Sequence, residues 1–119
     1  MNRRKTGTAG EELAVRFLSG RGAKITDRNF HAGRTGEIDL VGMDGDILFF
    51  AEVKYRSGLK SGYPEEAVTP AKQQTIRRVA ARYMYIKRIP PDVPVRFDVV
   101  SVMRIDEKQV RVRWIRNAF

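Results

Sequence analysis

The sequence predicts an α/β sandwich, a mixed five-stranded sheet flanked by two helices, and three observations carry that expectation. Hydrophobic spacing switches between helical and alternating periods in the order α-β-β-β-α-β-β. The length of 119 residues suffices for one domain, 1–119, with a single hydrophobic core system. A helix separates the third strand from the fourth, and such a crossover joins parallel neighbours, whereas tight turns elsewhere join antiparallel ones.

The first helix is expected over about Thr8 to Ser19, where Leu13, Ala14, Phe17 and Leu18 form an apolar stripe and Gly20 and Gly22 end it. Glu11 lies beside that stripe, while Glu12 aligns with Arg16 and Ser19 on the wet side. Thr8-Ala9-Gly10-Glu11 also spells a capping box, in which the glutamate reaches back to the cap backbone. Glu11 therefore has two readings at this point, helix cap or site acid. A short strand follows over Ala23 to Phe30. The loop HAGRTG comes next, and its His31 and Arg34 either touch a phosphate or stand solvated.

Gly36 to Arg56, GEIDLVGMDGDILFFAEVKYR, reads as two strands joined at Asp44-Gly45, a pair suited to a tight hairpin turn. Three ionisable groups sit inside these strands, where charge is costly unless paired or used: Asp39 on the first, Glu52 and Lys54 on the second. Alternation puts Glu52 and Lys54 on one face with Leu48 and Phe50, about 7 Å apart by twice the strand rise. On the neighbouring strand it puts Glu37, Asp39 and Val41 one way, Ile38 and Leu40 the other. If Asp39 shares the Glu52 face, two carboxylates and a lysine converge. Such a group suits Mg²⁺, which takes one or two carboxylates and accepts phosphate oxygens. A lysine beside it steadies a phosphate or helps deprotonate water. The plainer reading is surface pairing on a solvated hairpin face.

After Lys54 the chain runs YRSGLKSGYPEEAVTP, long for a connector, with Arg56 and Lys60 on a substrate-clasping loop or a simple crossover. The second helix starts with Thr69 as N-cap and Pro70 at the first position, and continues to about Lys87 before Pro90-Pro91. Its stripe is Ile76, Val79, Ala80, Tyr83 and Ile86. Extending the stripe backwards reaches Gln73 and Lys72, at a helix N-terminus that favours an anion. Arg77, Arg78 and Arg82 lie mostly off the stripe, as a solvated or phosphate-contacting face. Two last strands, Val95 to Met103 and Gln109 to Arg116, are joined by a turn at Arg104 to Lys108. The first is apolar apart from Arg96 and Asp98, as befits a strand deep in a sheet. The second alternates Val110, Val112 and Trp114 with Arg111 and Arg113, an edge strand with one basic face. Phe119 is expected to pack back onto the domain.

Twenty-three basic against fourteen acidic residues give a formal charge of +9, spread along the chain, which points to a nucleic-acid partner, DNA or RNA. The alternative is a basic structural component of a larger complex, for which Tyr83 and Tyr85 are the candidate exposed contacts. No cysteine and one histidine exclude disulfides and Cys/His zinc sites, so any metal here is oxygen-bound. Glu11 and Glu12 interrupt any apolar signal region after the basic start, and no stretch approaches membrane-spanning length. A cytoplasmic location and no membrane partner are expected.

Asp39, then Glu52-Val53-Lys54 at the end of an apolar strand, resembles the D…ExK signature of the PD-(D/E)XK nuclease superfamily, with its restriction-endonuclease-like fold. With AGEELA upstream and AVTP and NAF downstream, nearly the whole chain resembles the YraN-like family of bacterial proteins, which is similar to archaeal Holliday-junction resolvases. The resemblance implies a metal-dependent endonuclease acting on DNA, with branched or junction DNA among its substrates. It implies Mg²⁺ or Mn²⁺ held by Asp39, Glu52 and the Val53 carbonyl, with Lys54 positioning or activating water. Gly7 and Glu11 resemble the Gly-xxx-Glu of the resolvase first helix, which adds Glu11 to the catalytic and metal-binding set. Ile38 departs from the superfamily motif, which often has proline there. Arg56, Lys60, Lys72, Gln73 and Arg77 are the candidate nucleic-acid contacts, and a homodimer would suit a two-fold substrate. The competing function is a nucleic-acid-binding module of the same fold without cleavage.

Overall fold

The computed structural model describes residues 2–57 and 68–119, with residues 2–8 described by their backbone alone. The elements are α1 (Asn2–Gly20), β1 (Lys24–His31), β2 (Glu37–Asp44), β3 (Ile47–Ser57), α2 (Pro70–Ile86), β4 (Val95–Arg104) and β5 (Val110–Ile115). They form one five-stranded sheet in the order β1-β2-β3-β4-β5. Among these strands only β3 and β4 run parallel, across the α2 crossover, so the predicted mixed sheet is the observed one. Lys60 and the clasping-loop expectation lie outside the described residues.

Strand alternation divides the core between the helices. Ile76, Val79, Ala80 and Tyr83 of α2 pack with Ile38, Val41, Leu48, Phe50 and Val99. Ala14 and Leu18 of α1 pack with Leu40, Phe49, Ala51, Val100 and Val102 on the other face. Consecutive Phe49 and Phe50 thus serve opposite layers, and each fully buried side chain of this size contributes about 1.5–3 kcal/mol. Gly10 lets α1 come close: a Cβ there would stand 3.3 Å from Cδ2 of Tyr55 on β3.

Three expectations are corrected. The first helix begins well before Thr8, so the Thr8–Glu11 box lies inside α1 and cannot cap it. Tyr83 is buried, 4% exposed, because its hydroxyl reaches Asp27 on β1; Tyr85 is the exposed one at 77%. Ile86, at the helix end, has left the buried stripe and is half exposed. The Thr69 cap stands as expected, its Oγ1 accepting from the Lys72 N–H at 3.2 Å.

Asp98, fully buried on β4 opposite Ala51, is the hub of a polar network. Its carboxylate accepts from Arg96 Nε at 2.9 Å, Trp114 Nε1 at 2.8 Å and the Asn117 N–H at 2.9 Å. Arg96 also donates to Asp44 at 2.8 Å, and Arg116 reaches the same carboxylate at 3.2 Å. The Arg96 hydrogen bond, with that of Arg116 behind it, holds the Asp44 carboxyl below the usual carboxylate range. The β2–β3 turn, β4 and β5 are tied together this way. The chain end packs back as expected, with Ala118 N–H donating to the Phe97 carbonyl at 2.8 Å and Phe119 stacked on Phe97.

Candidate metal centre

The β2–β3 ladder stops at Leu40 opposite Ala51, and the next residues outward are Asp39 and Glu52. Here simple alternation fails. Ile38 packs in the α2-side cluster and Leu40 in the α1-side cluster, although residues two apart on a regular strand share a face. The strand therefore turns over at Asp39. Across from it on β1, between the pairs Arg28–Leu40 and Phe30–Ile38, Asn29 adopts a left-handed φ of 53°. Local backbone irregularity on both strands thus frees Asp39 from the pleat.

The Asp39 carboxylate then does what a backbone carbonyl would do in an unbroken ladder. Its Oδ2 accepts the Val53 N–H at 2.8 Å. The N–H and C=O of one strand residue point to the same neighbour, so the Val53 carbonyl opens on the Asp39 side as well. Glu52, 8% exposed, lies between Asp39 and Lys54, whose Nζ stands 4.0 Å from Glu52 Oε1. Burial first, and then the Glu52 charge, push the Asp39 carboxyl up to about 7, against the stabilising Val53 N–H. The Glu11 charge adds to that push from α1, and Glu11 itself is held by Asn29 Nδ2 at 3.0 Å.

A largely buried carboxylate pair with excess negative charge and an adjacent backbone carbonyl fits a hard divalent cation. Among the described residues no three His, Asp or Glu side chains are gathered tightly enough to ligate one ion. The protein would thus supply Asp39, Glu52 and the Val53 carbonyl, which leaves room for waters and phosphate oxygens. Glu11 stands behind this pair as a neighbouring charge.

The other candidates are spread out. Arg56 is the penultimate residue of β3, opposite Met103. Gln73 donates to the Val68 carbonyl at 3.1 Å, and so binds the lead-in to its own helix. Arg77 lies over the Phe97 ring at 4.5 Å and near Phe119, on the side of the chain end. Lys72 is half-buried at the start of α2. His31 closes β1 and pairs with Glu37 at 3.2 Å. Sequence reasoning missed Asn29 and Arg28, which hold Glu11 and Glu12 on consecutive positions of β1. The available signal was Asn29 itself, since asparagine tolerates the left-handed region better than other side chains.

Among the described residues no helix is long and apolar enough to cross a membrane. The family model described as "Uncharacterised protein family UPF0102" matches residues 10–102, which include α1 from Gly10 and the first four strands almost entirely. A UPF0102 protein of Symbiobacterium thermophilum is 46% identical over 119 residues, covering 98% of this chain and 97% of its own. Another, of Lachnoclostridium phytofermentans, is 40% identical over 119 residues, covering 100% of this chain and 96% of its own. A third, of Parafrankia, is 45% identical over 115 residues, covering 97% of this chain and 96% of its own. Matches of this length and identity, on the stretch that builds the sheet and its carboxylate pair, place the chain in the UPF0102 family, the YraN-like one.

Proposed function

We propose that the protein is a metal-dependent endonuclease of the PD-(D/E)XK type, hydrolysing phosphodiester bonds in DNA. The observation that carries this reading is the Asp39–Glu52 pair: two carboxylates kept together at the fork of β2 and β3, with Asp39 pushed up to about 7. Such crowding destabilises an empty fold and is relieved by a cation. Asp39, Glu52 and the Val53 carbonyl would hold Mg²⁺ or Mn²⁺, which neutralises charge on a phosphate and lowers the pKa of water. Lys54, within 4.0 Å of Glu52, would orient the attacking water or a phosphate oxygen. The charge of +9 would keep the polyanionic substrate at hand.

A binding module that cuts nothing is the second reading, favoured by the small number of protein donors: among the described residues, two carboxylates without a third within ligating reach. The two readings part in one experiment. Purified protein is incubated with Mg²⁺ or Mn²⁺ and labelled linear, flapped and four-way DNAs, with Asp39→Asn alongside. Cleavage lost in Asp39→Asn supports the nuclease; tight binding with intact DNA in every lane supports the module. RNA of the same shapes extends the panel to the other nucleic acid.

A further inference from the structure

Beside the carboxylate pair, α2 and the β1–β2 loop enclose an open depression of about 430 Å³, lined by Ala32, Gly33, Thr35, Arg78 and Arg82. No carboxylate is among these lining residues. Some arginines elsewhere in the fold have carboxylate partners, Arg28 with Glu12, Arg96 with Asp98 and Arg116 with Asp44. Arg78 has no ion pair or hydrogen bond among the described residues, and Arg82 makes only a ring contact there, its guanidinium 5.9 Å from the centre of Tyr85. Residues 78, 82 and 85 recur at helical spacing, so two cations without a carboxylate partner and a 77% exposed aromatic form one ridge along α2.

The loop is held to α2 at close range. Gly36 has φ 147°, and a Cβ there would fall 2.9 Å from Thr75 Cγ2, so the backbone seats directly on the helix. Thr35 precedes Asp39 by four residues, which places the Thr35 edge of the depression within about 14 Å of Asp39, Cα to Cα. That gap is a few nucleotides of a strand.

We infer that the depression seats a backbone phosphate of an unpaired nucleic-acid strand, with the neighbouring base stacked on Tyr85, and so selects substrates single-stranded beside the cut. This rests on the nucleic-acid reading above and deepens it. Two guanidiniums and the Thr35 hydroxyl supply the donors that a phosphate takes. Stacking on an exposed aromatic needs a base outside the duplex stack, which is why the ridge discriminates.

The test is binding in EDTA, read by fluorescence anisotropy at several salt concentrations, with a labelled single strand and a blunt duplex of equal length. Four proteins are compared: wild type, Arg78→Ala/Arg82→Ala, Tyr85→Ala, and Lys108→Ala/Arg111→Ala as a control of equal charge. All the substituted side chains are exposed. The ridge double variant should bind the single strand about tenfold or more weakly, and its salt slope should fall by about 0.7 for each phosphate it no longer neutralises. Tyr85→Ala should weaken the strand by about tenfold and leave the duplex unchanged. The control should change by less than about twofold. Equal weakening in both double variants, or a Tyr85 effect common to strand and duplex, would overturn the inference and leave the nucleic-acid reading standing. No binding of either nucleic acid by wild type would remove that reading, and the inference with it.

Discussion

A carboxyl whose pKa rises on folding favours the fold only while it keeps its proton. Asp39 moves from about 3.8 to about 7, chiefly through burial and then through Glu52. Below pH 3.8 both states are protonated and the contribution is full; between 3.8 and 7 the unfolded chain has released its proton and the folded one has not. Stability should therefore fall across that window and level off above it, in chelator-containing buffer. Asp39→Asn keeps an oxygen for the Val53 N–H and removes the charge, so it should flatten this slope. It should also raise stability above pH 7 by about 1–2 kcal/mol, measured by denaturant melts. Calorimetry should show Mn²⁺ binding lost in the same variant. Lys54→Ala should retain the metal, because the ligands remain, and lose about a hundredfold or more in turnover. Weak, equal Mn²⁺ uptake by wild type and Asp39→Asn would count against a metal centre. Asp39, Glu52 and Lys54 were legible in the sequence because charge inside apolar strands is rare. The side to which Asp39 turns was not, since it depends on a backbone break shared with Asn29.

Elements were read well where periodicity decides and poorly where neighbours do. The strands and the parallel β3–β4 pair follow from alternation and a helical crossover. The true start of α1 does not, because a capping-box pattern inside a helix spells the same letters as one at its end. Nor was the anchoring of Glu11 readable, since Asn29 lies eighteen positions away. The β1–β2 loop gives an element-scale prediction. Gly36→Ala meets Thr75 and also a φ of 147° that side chains rarely adopt, so it should cost about 1–3 kcal/mol. Adding Thr75→Ala should recover only the steric share, and thermal melts of the single and double variants would reveal full recovery if the backbone were indifferent.

Across the whole molecule, polar order is concentrated in two groups on neighbouring strands, since Asp98 stands opposite Ala51 and Glu52 opposite Val99. In one, the β2–β3 fork sets two carboxylates against the single charge of Lys54. In the other, Asp98 has its oxygens satisfied by Arg96, Trp114 and Asn117. Asp98→Ala would strand the largely buried Arg96 beside Trp114, and should cost about 3–5 kcal/mol by denaturant unfolding, far more than any change at Lys54. A loss below about 1 kcal/mol would mean that Asp44 alone suffices for Arg96. That Asp98 lies deep in the sheet was readable from the sequence. Its partners were not, since they come from separate positions that only the fold brings together.

Among the described residues β5 leaves its outer backbone edge open, as β1 does, and an open edge invites a second copy to continue the sheet. The arginines at 111 and 113 bear on that encounter. A two-fold antiparallel pairing centred on Val112 would set Arg111 against Arg113 in both halves, a like-charge opposition that disfavours the pair. Sliding the register by one residue would set those arginines against Val110 and Val112, which pack on the α1 side, and so mix a wet face with a dry one. Mutual repulsion thus guards this strand from its own kind. Arg111→Val/Arg113→Val should accordingly raise the tendency to self-associate through β5, visible as a concentration-dependent increase in sedimentation coefficient.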